Sequence, residues 1–294
     1  MNAQNKNLVL RIVTALGLLP IVLWLIYMGG AWFAGLIGVA GGLAALELNQ
    51  MASAAPSFVP EGMPVESRKP RLGAGGVASA LVAFAIPLTR YLPHHPWLDQ
   101  LTTLKFLLVL LLLIALLDAL FFEMDLPRAP LRVGIAVLAP IYCGLSISAL
   151  GWLRDFPRGA WWIVLALVVT WFNDTGGYFA GRFLGKHKMY PRISPSKTWE
   201  GALGGAAATT AGAVLMKIFF IPELPLYGSA IIGLGASLIG PLGDLSESML
   251  KRGFGAKDSG KTLPGHGGML DRIDALLFVS PLVLFCARHL LSAQ

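Results

Sequence analysis

Residues 101–122 read LTTLKFLLVLLLLIALLDALFF. Two charges, Lys105 and Asp118, interrupt an otherwise apolar run. A lipid-spanning helix needs about 20 apolar residues, and this run supplies them. Eight further runs of similar character extend the reading to both ends of the chain. The nine segments lie roughly at 9–28, 30–49, 74–92, 101–122, 132–153, 159–180, 199–221, 226–247 and 273–291. Composition agrees. Of 294 residues 55% are hydrophobic, and the 23 Lys and Arg with 16 Asp and Glu make only 13%, about half the share in a soluble domain. Mean hydropathy is +0.68. A soluble globule is excluded for want of charge to coat it, and disorder because it needs low hydrophobicity. The predicted fold class is all-α: a polytopic integral membrane protein of about nine transmembrane helices. The first run lacks a small-residue cleavage site and is expected to be retained rather than removed as a signal peptide.

The net charge of +7 is first a topology signal, because Lys and Arg collect in cytoplasmic loops. With the N-terminus cytoplasmic and nine spans, seventeen of the 23 basic residues fall inside and six outside. The expected orientation is therefore N-terminus in and C-terminus on the opposite side. Residues 1–294 are expected to form a single membrane domain. Within it, 1–158 hold about five spans, and 159–294 form a catalytic region with cytoplasmic loops 181–198 and 248–272. Those two loops carry ten of the seventeen inside cations. The connector 50–73, rich in Pro, Ala and Ser, is read as having no chemistry. Cys143 and Cys286 are read as buried thiols, and Trp32, Trp161 and Trp162 as interface aromatics.

A carboxylate within a span costs several kcal/mol unless paired or hydrated. The seven candidates, Glu47, Asp118, Asp174, Asp244, Glu247, Asp271 and Asp274, all fall near cytoplasmic ends of their spans. That one-sided placement predicts a polar cavity open to the cytoplasm and argues against a transporter, which would carry acids through the full depth. Glu47 and Asp118 are expected to pair with a loop Arg or Lys or to reach the interface. Asp174 lies about six residues from its segment end, roughly 9 Å deep. Gly240, Pro241 and Gly243 are expected to break the helix ladder beside Asp244 and free carbonyls, irregularity tolerated only where it lines a cavity. Asp244, Glu247, Ser248 and Lys251 share one helical face.

The stretch 251–268 combines Lys251, Arg252, Lys257 and Lys261 with six glycines. Glycine lets backbone N–H groups approach an anion, and the cations supply countercharge, so the loop suits a polyphosphate. Residues 255–262 satisfy the P-loop spacing, but a P-loop follows a buried strand and opens a long helix; here a membrane helix precedes and Pro264 interrupts. Asp271 and Asp274, one turn apart after this loop, join Asp244 and Glu247 as four hard-oxygen ligands, a Mg²⁺-nucleotide pattern. In the other loop Ser194, Ser196 and Lys197 precede a helix N-terminus, itself an anion site, with Ser196 as the candidate cap. His266 sits between glycines as an anion contact. Gly201–Gly205 reads as a small-residue packing face.

The pattern Ser248-x-Leu250-Lys251-Arg252, four residues, Lys257-Asp258, then Leu263-Pro264-x-His266-Gly267-Gly268-x-x-Asp271-Arg272-Ile273-Asp274 resembles the phosphatidate cytidylyltransferase family without departure across 27 residues. Asn173-Asp174-x-x-x-Tyr178 and Ser194-Pro195-Ser196-Lys197-Thr198 are similar to it as well. The resemblance implies transfer of a cytidylyl group from CTP to phosphatidate, giving CDP-diacylglycerol and pyrophosphate in phospholipid biosynthesis, with Mg²⁺ and room for a second, monovalent cation. It implies Asp244 and Asp271 as metal carboxylates, with Glu247 and Asp274 as further candidates, and Asp244, Asp271 and Lys197 as catalytic. Asn173, Asp174, Ser194, Ser196, Lys197, Lys251, Arg252, Lys257, Asp258, Lys261, His266, Gly267, Gly268 and Arg272 are the expected substrate contacts. Expected partners are CTP, phosphatidate and membrane lipids, not nucleic acid; a homodimer is left open. The expected location is a bacterial inner membrane with the site facing the cytoplasm. The alternatives are a CTP-dependent polyprenol- or phytol-type kinase, which would release CDP, and a transporter.

Overall fold

A computed structural model describes residues 3–55 (side chains from Leu16), 72–92, 99–122, 126–191 and 193–292. Helices dominate: α1 Ala3–Met28, α2 Gly30–Ala54, α3 Ala74–Ala85, α4 Gln100–Phe122, α5 Ala129–Ala139, α6 Ser146–Arg154, α7 Gly159–Leu184, α8 Trp199–Phe219, α9 Leu226–Gly253 and α10 Leu270–Ser292. A 3₁₀ turn, Ile86–Tyr91, lengthens α3, and a π segment, Pro140–Leu145, joins α5 to α6. Each begins with a proline at its first or second position. Proline lacks an N–H and clashes with the carbonyl four residues back, so the hydrogen-bond register must tighten or widen there. Among the described residues eight helical rods are long and apolar enough to cross a membrane, and the described apolar part of α1, Leu16–Met28, is shorter; nine spans were expected. The chain is an all-α, polytopic integral membrane protein.

One departure is not helical. The segment expected as loop 181–198 begins only after Leu184 and contains an antiparallel hairpin, β1 Lys188–Tyr190 and β2 Ser194–Thr198. The longer α7 puts Asp174 ten residues from the helix end, about 15 Å rather than 9 Å. Likewise α9 runs to Gly253 and α10 starts at Leu270, which shortens the second loop to 254–269. Residues 56–71, most of the expected connector, lie outside the described residues, as do Arg192, His94 and His95.

By packing, the chain forms two units: 1–148 with 251–272, and 149–250 with 273–294. The glycine-rich loop thus packs with the N-terminal helices. In the first unit α2 and the π segment present glycines to their neighbours. A methyl on Gly38 would stand 2.6 Å from the Phe84 carbonyl, and one on Gly144 would stand 2.6 Å from Ala83 Cα. Val82, Ile86 and Leu111 form an apolar cluster beside them. The outer face of α4, including Leu113, Leu117 and Phe121, is exposed, as a lipid-facing surface should be. Asp118 accepts the Ala74 backbone N–H at 3.0 Å. It therefore caps α3, a local use for a carboxylate at a helix N-terminus.

In the second unit α7 and α8 meet backbone to backbone. A Cβ on Gly176 would lie 2.5 Å from Ala208 Cβ and 2.7 Å from the Gly204 carbonyl, and one on Gly201 would lie 2.9 Å from the Gly177 carbonyl. Gly201–Gly205 is thus a packing face, as expected of small residues between membrane helices. Trp161 stacks on Phe220 with ring centroids 4.2 Å apart. Trp162 corrects the reading of an interface pair: it is fully buried, with Phe156 at 6.3 Å. Adjacent positions on a helix point about 100° apart, so only one of the two can face outward. Cys143 and Cys286 are both buried, as expected.

Candidate active site

A cavity of about 350 Å³ opens among α7, the hairpin, α8 and α9. Its walls carry Asn173, Asp174, Tyr178 and Arg182 from α7, Ser196 and Lys197 from β2, and Pro241 and Asp244 from α9. The close α7–α8 contact and the hairpin aim these side chains. Thr198, the last residue of β2, caps α8 by accepting the Gly201 N–H at 3.1 Å. The cap is therefore Thr198 and not Ser196, because Thr198 has the extended backbone of a cap position (φ −130°, ψ 155°). Ser196 is left exposed on the cavity wall, and its hydroxyl lies 3.5 Å from that of Ser194. Lys197, one residue before the cap, projects to α9, where Nζ meets Asp244 Oδ2 at 2.6 Å and donates to the Pro241 carbonyl at 3.2 Å.

That contact revises the expected role of Pro241. Helix α9 continues through it, and the ladder is not broken into two pieces; instead the Pro241 carbonyl accepts from a lysine on another element. Asn173 is buried between α8 and α9. A methyl on Gly205 would stand 2.5 Å from its Oδ1, and one on Gly240 would stand 3.2 Å from its Nδ2. Asp174 is exposed to the cavity and within electrostatic reach of Asp244 and Lys197. Arg182 donates to the Tyr178 hydroxyl at 2.6 Å; Tyr178 stood in the family-like pattern that begins at Asn173, whereas Arg182 was read only as a topology cation.

Asp244 belongs to a second group. Oxygens of Asp244, Glu247 and Asp274 all lie within 4.8 Å of one another. Glu247 is fully buried, one helical turn after Asp244. Gly243 lets α10 approach, since a methyl there would stand 2.8 Å from the Asp274 carbonyl. Three convergent carboxylates against one lysine form a hard, anionic donor set that fits Mg²⁺ chemistry.

The loop 254–269 in the other unit is organised round carboxylates of the protein itself. Asp271 Oδ1 takes Lys251 Nζ at 2.7 Å. Its Oδ2 accepts the Ser259 N–H at 3.0 Å, the Ser259 hydroxyl at 2.8 Å and the Gly268 N–H at 3.1 Å. Glu47, on α2, reaches the same loop. Oε1 accepts the Met269 N–H at 2.9 Å and the Thr262 hydroxyl; Oε2 accepts the Leu270 N–H at 2.9 Å and the Ser259 hydroxyl at 3.2 Å. The expected pairing of Glu47 with a loop Arg or Lys is therefore replaced by hydroxyls and the amides of the α10 N-terminus, where the helix dipole favours an anion. Two glycines are explained by these carboxylates. A methyl on Gly260 would lie 2.7 Å from Glu47 Oε1, and one on Gly268 would collide with the Ser259 hydroxyl and lie 2.7 Å from Glu47 Oε2. Gly267 sits at φ +84°, a region open to glycine, and closes a turn in which the Leu263 N–H donates to its carbonyl. Helix α10 opens eight residues beyond Thr262, so the P-loop spacing is fortuitous.

Of the remaining expected contacts, Lys257, Asp258 and Lys261 are exposed. Arg252 donates to the Ala256 carbonyl at 3.1 Å and Arg272 to the His266 carbonyl at 2.8 Å. The His266 ring lies 3.4 Å from the Pro264 carbonyl. The two carboxylates first paired as metal ligands fall in different packing units: Asp244 in the three-acid group, Asp271 in the loop beside Lys251. Glu47 and Ser259 were missed as site residues. A 27-residue pattern marks Ser259 as an unspecified position, and nothing near Glu47 in sequence advertises partners 212 to 223 residues away.

Three convergent carboxylates beside a lysine in one unit and a cation-bearing glycine-rich loop in the other are the polar features of an otherwise apolar, helical membrane protein. Comparison with known proteins sharpens this. The model of the cytidylyltransferase family matches residues 9–290, and the chain belongs to that family. It is similar to proteins named phosphatidate cytidylyltransferase from Brucella suis (47% identical over 143 residues, 48% of this chain and 53% of the relative) and Staphylococcus saprophyticus (46% over 142 residues, 48% and 54%). The same name belongs to a relative from Bacillus subtilis (43% over 155 residues, 52% and 58%). The chain spans about half the length of the curated relatives it matches.

Proposed function

We propose that the protein transfers the cytidylyl group of CTP to phosphatidate, forming CDP-diacylglycerol and pyrophosphate. The observation that carries this is the contact of Lys197 with Asp244 on the cavity wall, with Asp244 also joined to Glu247 and Asp274. It brings a cation and an acidic group that could hold a metal ion to one point of the cavity wall. The names of the relatives supply the substrates.

The nucleophile is a phosphate oxygen of phosphatidate, already an anion, so no strong general base is needed. It forms a bond to the α-phosphorus of CTP as the bond to pyrophosphate breaks. Repulsion between two polyanions dominates the barrier, and positioned positive charge is the remedy. Lys197 supplies such a charge in the cavity. Arg182 adds a donor on the cavity wall, and the loop of the other unit carries further candidate cations, Lys251, Arg252, Lys257, Lys261 and Arg272. Asp244, Glu247 and Asp274 would hold Mg²⁺, which when bound neutralises phosphate oxygens and stabilises the leaving group. Asp271 is assigned to hold Lys251 and the loop. Asp174 orients Lys197 electrostatically, and Asn173 fixes the α7–α8–α9 spacing. The charge asymmetry of the loops supports a site on the cytoplasmic side, and the bacterial relatives support an inner membrane.

The test supplies CTP labelled in the cytosine ring together with phosphatidate, with and without Mg²⁺. Label in lipid with pyrophosphate release supports the reading. Release of labelled CDP, with phosphate transferred to a lipid alcohol, would replace it with the kinase reading.

A further inference from the structure

We propose that Glu47 is a positioning residue: its buried carboxylate on α2 sets the closed conformation of loop 254–269 and thereby places the cations and Asp271 for turnover. The inference rests on the cytidylyl-transfer reading for its kinetic arm only. Glu47 is 1% exposed and lies among Ala44, Ala45 and Leu48, each fully buried. A buried carboxylate needs several donors, and here they come from one loop and the helix it opens. They grip that loop in two places, Ser259 and Thr262 on one side and Met269 and Leu270 on the other. Everything between those grips, His266 and Gly267 included, is closed by the same side chain.

The coupling to Asp271 is direct. The Ser259 hydroxyl has one proton and two carboxylate neighbours, Glu47 Oε2 at 3.2 Å and Asp271 Oδ2 at 2.8 Å, while it accepts the Asp271 N–H at 3.3 Å. Asp271 in turn holds Lys251. A chain of contacts therefore runs from Glu47 through Ser259 and Asp271 to a lysine assigned to substrate. Simple charge burial would not need this arrangement, and Gly260 and Gly268 keep the approach open.

The discriminating variants are Glu47→Gln and Glu47→Asp in the full chain in detergent. Gln keeps the volume but turns an NH₂ toward donors, whether hydroxyl or amide. Asp keeps the charge and acceptor count on a shorter stem. A displacement of about 1 Å at a positioned group costs about 100-fold in rate. Expected for Glu47→Gln is a fall in kcat of about 10- to 100-fold at unchanged melting temperature, and for Glu47→Asp a smaller fall than for Glu47→Gln, because the charge and both acceptors are kept. Hydrogen exchange of the Ser259–Leu270 amides should quicken in Glu47→Gln while α7 and α8 keep their protection. Parental kcat in Glu47→Gln overturns the proposal. So does equal loss in both variants with a lowered melting temperature and general loss of protection, which marks a merely structural residue. If the parent itself makes no CDP-diacylglycerol, the functional reading fails, and the exchange arm still decides: unchanged loop protection in Glu47→Gln overturns the anchoring.

Discussion

Lys197→Met removes one charge and keeps most of the apolar stem. In the parent, Nζ lies 2.6 Å from Asp244 Oδ2, with the lysine side chain 22% and the aspartate 37% exposed. At an effective dielectric of about 20 the gross attraction is about 6 kcal/mol. Partial exposure and solvent screening reduce the net value toward that of surface pairs, to about 1–2 kcal/mol. The same lysine competes with a cation for Asp244. Its removal takes from the group of Asp244, Glu247 and Asp274 the cation that contacts Asp244. Divalent-ion affinity should therefore rise, by about 5- to 30-fold if the whole 1–2 kcal/mol is recovered. Turnover should move the other way. Loss of a preorganised charge at a transition state costs about 100- to 1,000-fold. The assay is paired: Mg²⁺ titration of the purified protein by calorimetry, and CTP-dependent labelling of lipid at saturating Mg²⁺. A variant that binds Mg²⁺ more weakly than the parent, or turns over within a factor of about three of it, would refute the argument that Lys197 and a cation share Asp244.

Three further outcomes are expected. Asp271→Asn places an amide against Ser259 and Gly268 donors, so turnover should collapse while Mg²⁺ affinity, measured by the same calorimetry, stays at the parental value. Thr198→Ala removes the α8 cap and should cost about 0.5–2 kcal/mol, read as a lower melting temperature, with a fall in turnover because Lys197 is the neighbouring residue. Gly204→Val drives a branched side chain into Ala180 and should destabilise the second unit by about 1–3 kcal/mol or more, seen as lost thermal stability in detergent.

The spans were legible because hydrocarbon demands long apolar runs, and the acids stood out because so few charges occur elsewhere. Helical spacing gathered four acids, Asp244, Glu247, Asp271 and Asp274; the structure brings oxygens of Asp244, Glu247 and Asp274 within 4.8 Å of one another and sets Asp271 in the loop beside Lys251. What escaped was set by tertiary contacts. Thr198 and Ser196 are both good caps in isolation, and the chain's turn out of β2 selects between them. Pro241 looked like a break, but a proline costs a membrane helix one hydrogen bond, and a lysine from β2 uses the carbonyl nearby. The hairpin is too short to show a two-residue alternation. Glu47 was read against its local sequence, whereas its partners come from the far end of the chain.

The inward turn of Glu47 and Asp271 has an effect at the loop's outer face. Both acids face its interior, while Arg252, Lys257, Lys261 and Arg272 are exposed with Asp258 as the one exposed acid between them. The loop thus separates charge, anionic within and cationic without, and its field toward water is more positive than its residue count. Such a surface draws polyanions by long-range attraction before any fitted contact forms. Capture of a nucleotide triphosphate at this face should then slow as ionic strength shortens the Debye length, while the interior network, shielded from salt, keeps its shape.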